Sequence, residues 1–237
     1  MSIPPLNMEI EQVYSQIMRH QYRTLTVTSA NAGEGVTSLA LALSQRNLLA
    51  GHSTLIVDLN LYHPSLENLG LEIHRPNKEL TLLESPQLVG VPGENITLTG
   101  ISAPSKRANV MQLRRPEVLE QYIKLWHQDY DLVIFDTSPV SRVNANNIPP
   151  ERVACASDGT LLVVMSGTTT ESAVLAAIKK LNDGGAHLLG TVINDKHSPT
   201  LKAELLRELD RFKSKTPKLV SKLKDLIFRN KLLSVDL

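Results

Sequence analysis

The segment Thr28-Ser29-Ala30-Asn31-Ala32-Gly33-Glu34-Gly35-Val36-Thr37 follows the apolar run Leu25-Thr26-Val27 and opens a helical pattern that runs from Ser38 to Ala50. A strand, a Gly-rich turn and a helix in that order build a phosphate-binding loop, or P-loop. Its glycines let backbone N–H groups turn inward around a phosphate, and the helix start adds its positive dipole end. The residues expected around the phosphates are Ala32, Gly33, Glu34, Gly35, Val36, Thr37 and Ser38. Thr37 stands where a hydroxyl ligates Mg²⁺, and Val36 stands where a lysine should reach the β- and γ-phosphates. The loop has the shape for a phosphate and lacks its fixed cation.

Two more strand ends carry carboxylates: Leu55-Ile56-Val57-Asp58 and Leu132-Val133-Ile134-Phe135-Asp136, the latter followed by Thr137-Ser138-Pro139. An acidic residue closing an apolar strand puts its carboxylate at the C-terminal edge of a sheet, where ligands bind in open α/β folds. Asp136 is then the group that holds Mg²⁺ through water beside Thr37. Asp58 is a second metal-sphere or water-orienting group. Either aspartate alone also reads as a plain turn residue; three pieces in the right order on one chain point to phosphate binding. The histidines (His20, His52, His63, His74, His127, His187 and His197) show no metal-ligand spacing. Cys155, the only cysteine, reads as a small core residue within Val153-Ala154-Cys155-Ala156 rather than a nucleophile. Lys106-Arg107 and Arg114-Arg115 flank a loop that can meet phosphates or a partner chain, with a solvated surface loop as the plainer reading.

The elements that must position these groups are legible as patterns. A short amphipathic helix is expected over Met8–His20, then strand Thr24–Ser29, helix Thr37–Ala50 and strand Thr54–Asp58. Residues 62–95, with Pro64, Pro76, Pro86 and Pro92, read as irregular with one short helix at most. A strand near Ile96–Gly100 and a polar, basic loop over 102–115 follow. Pro116 suits the first turn of a helix reaching Gln128, with an apolar stripe of Val118, Leu119, Tyr122, Leu125 and Trp126. Strands are expected at Leu132–Asp136, Leu161–Met165 and Leu188–Asn194, with a helix Thr170–Asn182 ending at Gly184-Gly185. Apolar strands alternating with helices imply a doubly wound, mostly parallel sheet with helices on both faces. Helix Thr200–Lys213 closes a domain expected over residues 1–213, and residues 214–237 form a tail.

Composition narrows the setting. The 237 residues are 42% hydrophobic, enough for a sizeable core. No apolar run approaches the ~18 residues of a membrane span. The N-terminal Met1-Ser2-Ile3-Pro4-Pro5 carries no signal-like pattern, so a cytoplasmic location is expected, and a single cysteine agrees with a reducing compartment. The net charge of +1 hides an asymmetry: from Arg211 to Lys231 there are eight basic residues and one acid, Asp225, a local +7 that leaves −6 for the remainder. Such a tail seeks an anionic partner. In Lys218–Leu233, Leu219, Leu223, Leu226, Ile227, Phe228 and Leu233 fall largely on one helical face. A basic amphipathic helix of this kind suits an anionic membrane surface, a partner's groove, or simple packing on its own domain. Nucleic acid is not expected, since only Phe212 and Phe228 interleave with the charge.

Taken in order, these motifs resemble the bacterial tyrosine kinases and their capsular exopolysaccharide (CpsD/CapB-like) relatives, P-loop proteins of the deviant-Walker type akin to the MinD and ParA ATPases. The family's loop, Ser-x-x-Pro-Gly-Glu-Gly-Lys-Ser/Thr, is similar to Ser29 through Thr37. Its second motif, Asp-x-Asp-x-Arg with a following proline, is similar to Asp58-Leu59-Asn60-Leu61-Tyr62-His63-Pro64. Its third, Asp-x-x-Pro, is similar to Asp136-Thr137-Ser138-Pro139. Gly190-Thr191-Val192-Ile193-Asn194 resembles the late strand whose asparagine lies near the nucleotide base. The resemblance spans about residues 8–200.

The departures are all losses of charge: Val36 for lysine, Asn60 for the second aspartate, Tyr62 for arginine, and Asn144 where an aspartate is usual. No tyrosine follows Tyr130, so the family's tyrosine-rich tail is absent, and Met8–Met18 lacks the arginines of its oligomerisation helix. Phosphoryl transfer depends on positioning and electrostatics, and losing one such group costs on the order of 10²–10³ in rate. Lys106, Arg107, Arg114, Arg115, Arg142 and Lys196 are the candidate replacement cations. The resemblance therefore implies a degenerate kinase or ATPase acting as a regulatory or scaffold partner in exopolysaccharide synthesis and export. ATP or ADP with Mg²⁺ is the implied ligand, with an empty structural loop as the other outcome. The partner would be a membrane polysaccharide co-polymerase, other export machinery or a second copy of the chain, at the inner face of the inner membrane. An active ATPase or autokinase with a substitute cation, and a MinD-like membrane-positioning protein, are the alternative readings. If activity remains, Asp58 and Asp136 carry it; Thr37, Asp58 and Asp136 are the implied Mg²⁺ groups, and Asn194 lies near the base.

Overall fold

In chain order the elements are α1 (Met8–Arg19), β1 (Thr24–Ser29), α2 (Val36–Leu49), β2 (Thr54–Leu59), β3 (Gly70–Leu71), β4 (Gln87–Gly90), β5 (Thr97–Ile101), α3 (Arg107–Leu113), α4 (Val118–Trp126), β6 (Leu132–Thr137), a 3₁₀ turn (Val140–Arg142), α5 (Pro150–Cys155), β7 (Gly159–Met165), α6 (Glu171–Asp183) and β8 (Leu188–Asn194). They come from a computed structural model that describes residues 3–64, 66, 70–71, 82–90, 97–196, 209, 223, 224 and 227. The chain divides into two compact units, Met1–Asn194 and Asp195–Leu237. In the second, Leu209, Leu223, Lys224 and Ile227 are helical. The remaining residues of the expected helices Thr200–Lys213 and Lys218–Leu233, and the expected boundary at 213/214, lie outside the described residues.

The first unit holds one eight-stranded sheet in the order β3-β4-β5-β2-β6-β1-β7-β8. From β5 to β8 every neighbouring pair is parallel; β4 runs antiparallel to both β3 and β5. Strands β1, β2, β6 and β7 are buried at every residue; β2, β6 and β7 accordingly read as largely apolar runs, whereas β1 alternates Thr with Leu and Val and buries its hydroxyls as well. The period of two still sorts them. In β6, Leu132 and Ile134 pack with α1 and α2, whereas Val133 and Phe135 pack with residues of α3, α4 and α5. Ala154, Leu162, Val164, Ala177 and Leu181 form a third cluster under α6. Helices thus cover both faces, as a doubly wound sheet requires.

Local chemistry sets the helix limits. Asn7 caps α1, its Oδ1 accepting from the Glu9 N–H at 3.1 Å, and Glu9 and Glu11 sit at the positive end of the helix dipole. Glu11 takes two bonds from Arg46 of α2, at 2.5 and 3.0 Å, and Arg46 also stacks over the Tyr14 ring. The Thr170 hydroxyl caps α6 by accepting from the Ala173 N–H at 3.3 Å.

Four expectations are corrected. The stretch 62–95 contains β3 and β4, short antiparallel strands whose length and proline-rich flanks hide the pattern. The expected basic loop over 102–115 holds α3, which buries only Val110 and Leu113. In α4, Leu125 is exposed and Ile123 takes its place inside. Cys155 is exposed, because the short α5 turns Val153 and Ala154 inward and leaves the cysteine on its outer side.

Candidate functional site

The parallel strands bring three chain segments to one edge. In the register of β1, β6 and β2, Val27 pairs with Asp136 and Asp136 pairs with Asp58. Both aspartates therefore lie on neighbouring strands at one level, beside the end of β1 from which the loop departs. Each is fully buried.

The loop has the backbone a phosphate needs. Gly33 and Gly35 have φ values of +82° and +101°, in the left-handed region that favours glycine. Gly35 is also crowded: a Cβ there would lie 2.4 Å from Asn194 Nδ2. The first backbone bond of α2 is made by the Leu39 N–H to the Gly35 carbonyl at 3.0 Å. The amides before it stand at the helix start with no intrahelical partner, as first-turn amides do.

Side chains hold that shape from three sides. Buried Glu34 folds its carboxylate back into the loop, accepting from the Asn31 N–H at 3.0 Å and from Asn31 Nδ2 at 3.2 Å. The Thr169 hydroxyl, from the turn between β7 and α6, also donates to Glu34 Oε1. Asn194, at the end of β8, donates its amide to the Glu34 carbonyl at 2.9 Å. Asn194 thus meets the loop backbone at Glu34. Thr169 was not visible in the sequence, since no motif marks a threonine so far from the glutamate that it meets.

Thr37 donates to Asp136 Oδ2 at 2.5 Å, so two of the three implied Mg²⁺ groups are in direct contact. The Asp58 carboxylate instead receives two backbone amides of its own connection, Asn60 N–H at 2.8 Å and Leu66 N–H at 3.2 Å. Asn60 Oδ1 accepts from the His63 N–H at 3.2 Å and from the Ser138 hydroxyl at 3.4 Å, tying the exits of β2 and β6 together. Val36 is only 7% exposed and belongs to the core under α2, so the position of the missing cation is filled by a packed apolar side chain. Ala32 and Ser38 lie on the same loop and first helical turn. Asn144 sits in a turn, its Oδ1 accepting from the Asn146 N–H at 2.7 Å.

The donor set fits a phosphate bound by backbone amides, with Thr37 and Asp136 beside it for a divalent cation. It does not fit a lysine-centred transfer site. Among the described residues, no group of three or more His, Cys, Asp or Glu stands ready to hold a metal by itself.

Comparison with known proteins gives the site its relatives. No protein-family model matches the chain. It is 26% identical to the tyrosine-protein kinase YwqD of Bacillus subtilis over 182 residues, covering 74% of this chain and 73% of that protein. It is 23% identical to the tyrosine-protein kinase CpsD of Streptococcus pneumoniae over 188 residues, covering 76% of this chain and 78% of the relative. Among solved structures, the kinase domain of the Escherichia coli tyrosine kinase ETK matches with a TM-score of 0.62 at 19% identity, over 81% of this chain and 74% of that one. The septum site-determining protein MinD of Pyrococcus horikoshii, complexed with Mg-ADP, matches with a TM-score of 0.54 at 18% identity, over 75% and 72% of the two chains. The chain is related to bacterial tyrosine-protein kinases, and its fold is that of P-loop proteins.

Proposed function

We propose that this relative of bacterial tyrosine-protein kinases is a catalytically degenerate P-loop protein that binds ATP or ADP and works as a regulatory or scaffold partner rather than as a kinase. One observation carries the reading. The phosphate cradle is kept, with Gly33 and Gly35 at positive φ and Thr37 on Asp136, while the lysine position is a valine buried in the core. A protein that had abandoned phosphates altogether would have no need of two left-handed glycines stapled by Glu34, Thr169 and Asn194.

In this reading the amides of residues 33–37 bind the phosphates, and the α2 dipole adds attraction for negative charge. Thr37 and Asp136 take a Mg²⁺ ion, which neutralises phosphate charge when bound. Asn194 fixes the loop on the side toward the base. Asp58, spent on two backbone amides, shapes the connection after β2. No fixed cation from the loop follows charge onto a departing phosphoryl group, and Asn60 is neutral where a carboxylate could take a proton. Binding survives these changes better than transfer, because transfer depends on charge stabilisation in the transition state.

The pathway part of the proposal is exopolysaccharide synthesis and export, with the cytoplasmic end of a membrane polysaccharide co-polymerase as partner. Its support is the relatedness to the tyrosine-protein kinases. The direct test is a calorimetric titration with Mg-ADP and Mg-ATP. Saturable binding of either is expected. No heat at millimolar nucleotide overturns the nucleotide part and leaves only the scaffold.

A further inference from the structure

The sequence offers six replacement cations, and the structure separates them. Arg114 donates to the carbonyls of Asn147 and Asn144, at 2.9 and 2.6 Å, and so braces the turn before α5. Arg107 lines a cavity of about 340 Å³ together with Leu61, Pro64, Ala103 and Asn146. Lys106 and Arg115 flank α3, and Lys196 belongs to the second unit.

Arg142 stands apart. It ends the 3₁₀ turn that leaves β6, and that turn is stitched to the phosphate loop. The Ser141 N–H donates to the Ala30 carbonyl at 3.2 Å, Thr28 Oγ1 to the Ser138 carbonyl at 3.1 Å, and Thr137 Oγ1 to the Val27 carbonyl at 2.9 Å. Its guanidinium lies 5.3 Å from the centre of the Tyr62 ring. Tyr62 follows Asp58 on the exit of β2, and Arg142 follows Asp136 on the exit of β6, so the pair joins the exits of the two carboxylate-bearing strands. Arg142 is exposed and has no carboxylate partner among the described residues. An arginine on an aromatic face keeps its fork of donors available, and a phosphate is the partner that fork fits best.

We propose that Arg142, steadied by Tyr62, binds the terminal phosphate of a nucleoside triphosphate held in the loop and makes the site read triphosphate against diphosphate. The inference rests on the nucleotide-binding part of the reading above and names the residue that would make such binding a switch. Arg142 reaches the Tyr62 ring from the exit of β6, on the turn bonded to Ala30 at the start of the loop. A cation carried on the strand exit beside the loop, rather than on the loop itself, would meet the end of a phosphate chain and so tell its length.

The test is calorimetric titration of the full chain, wild type, Arg142→Ala and Arg142→Lys, with Mg-ATP and with Mg-ADP, alongside thermal melts. The wild type is expected to bind ATP at least about tenfold more tightly than ADP, a gap of ~1.4 kcal/mol. Arg142→Ala should erase that gap while leaving ADP affinity within about twofold and the melt unchanged, and Arg142→Lys should keep part of it. Equal wild-type affinities overturn the inference. So does a variant that weakens both nucleotides alike, or neither, and in those cases the nucleotide reading stands. No binding of either nucleotide by the wild type overturns both.

Discussion

Val36 and Thr37 are neighbours with opposite fates. One is buried in the core at the place of a lysine, and the other keeps a 2.5 Å bond to the Asp136 carboxylate. A lysine at position 36 can thread its aliphatic stem past that core and bring its ammonium to the loop mouth. Val36→Lys should therefore tighten Mg-ATP binding by about tenfold or more, as a charge-assisted contact of ~1.5–3 kcal/mol implies. Unchanged affinity in the folded variant would mean that the pocket is closed to phosphates. Glu34 is the other residue to probe. Glu34→Ala removes the carboxylate that holds Asn31 and Thr169, at an expected ~1–3 kcal/mol of stability by urea titration. That Thr37 and Asp136 lie near one another was readable from the sequence, where a strand–loop–helix and apolar strands ending in Asp meet at one sheet edge; that they hydrogen-bond directly was not. The Arg142–Tyr62 pairing was not readable either: six cations are on offer, and nothing in their spacing says which one meets the Tyr62 ring.

Among the elements, β2 and β6 were legible nearly to the residue because burial makes them apolar runs between turn signals, while β1 and β8, a Thr-alternating strand and a part-exposed one, were legible from their β-branched residues and flanking turns. Short elements were not. Strand β4 has four residues, and α3 hides one apolar side among basic and polar neighbours, with Lys106 making no side-chain cap. The opposite edge of the sheet shows how elements are joined away from the loop. Arg23 donates to the carbonyls of His127, Tyr130 and Asp131, and Asp158 accepts the N–H groups of Arg23 and Thr24 at 2.8 Å. His127, closing α4, has Nε2 2.8 Å from Thr24 Oγ1. Burial first, and the Arg23 charge second, lower the His127 pKa from its ordinary 6.5. The unfolded chain then takes up this proton more readily than the folded one, so the contribution is present above pH 6.5 and is lost as pH falls toward the folded value. Thermal melts should show that loss, and His127→Gln should flatten it. In α4, Leu119→Ala should cost ~2–5 kcal/mol, read by denaturant titration, since Leu119 is fully buried against the sheet.

At the scale of the whole molecule, charge is divided unevenly, with a local +7 between Arg211 and Lys231 in a chain of net +1. No helix among the described residues is long and apolar enough to cross a membrane. The basic segment is expected to give salt-sensitive recruitment to anionic vesicles that vanishes when residues 218–237 are deleted, as flotation would show. Recruitment without nucleotide dependence would favour a membrane-positioning role. The central claim is that the frame of a phosphoryl-transfer protein persists here without its transferring charges. The measurement that tests it most directly is the rate of phosphate release from saturating Mg-ATP by the wild-type chain beside Asp136→Asn. The account predicts two indistinguishable traces at background. Steady turnover by the wild type that disappears in Asp136→Asn would contradict it and make the chain a working ATPase.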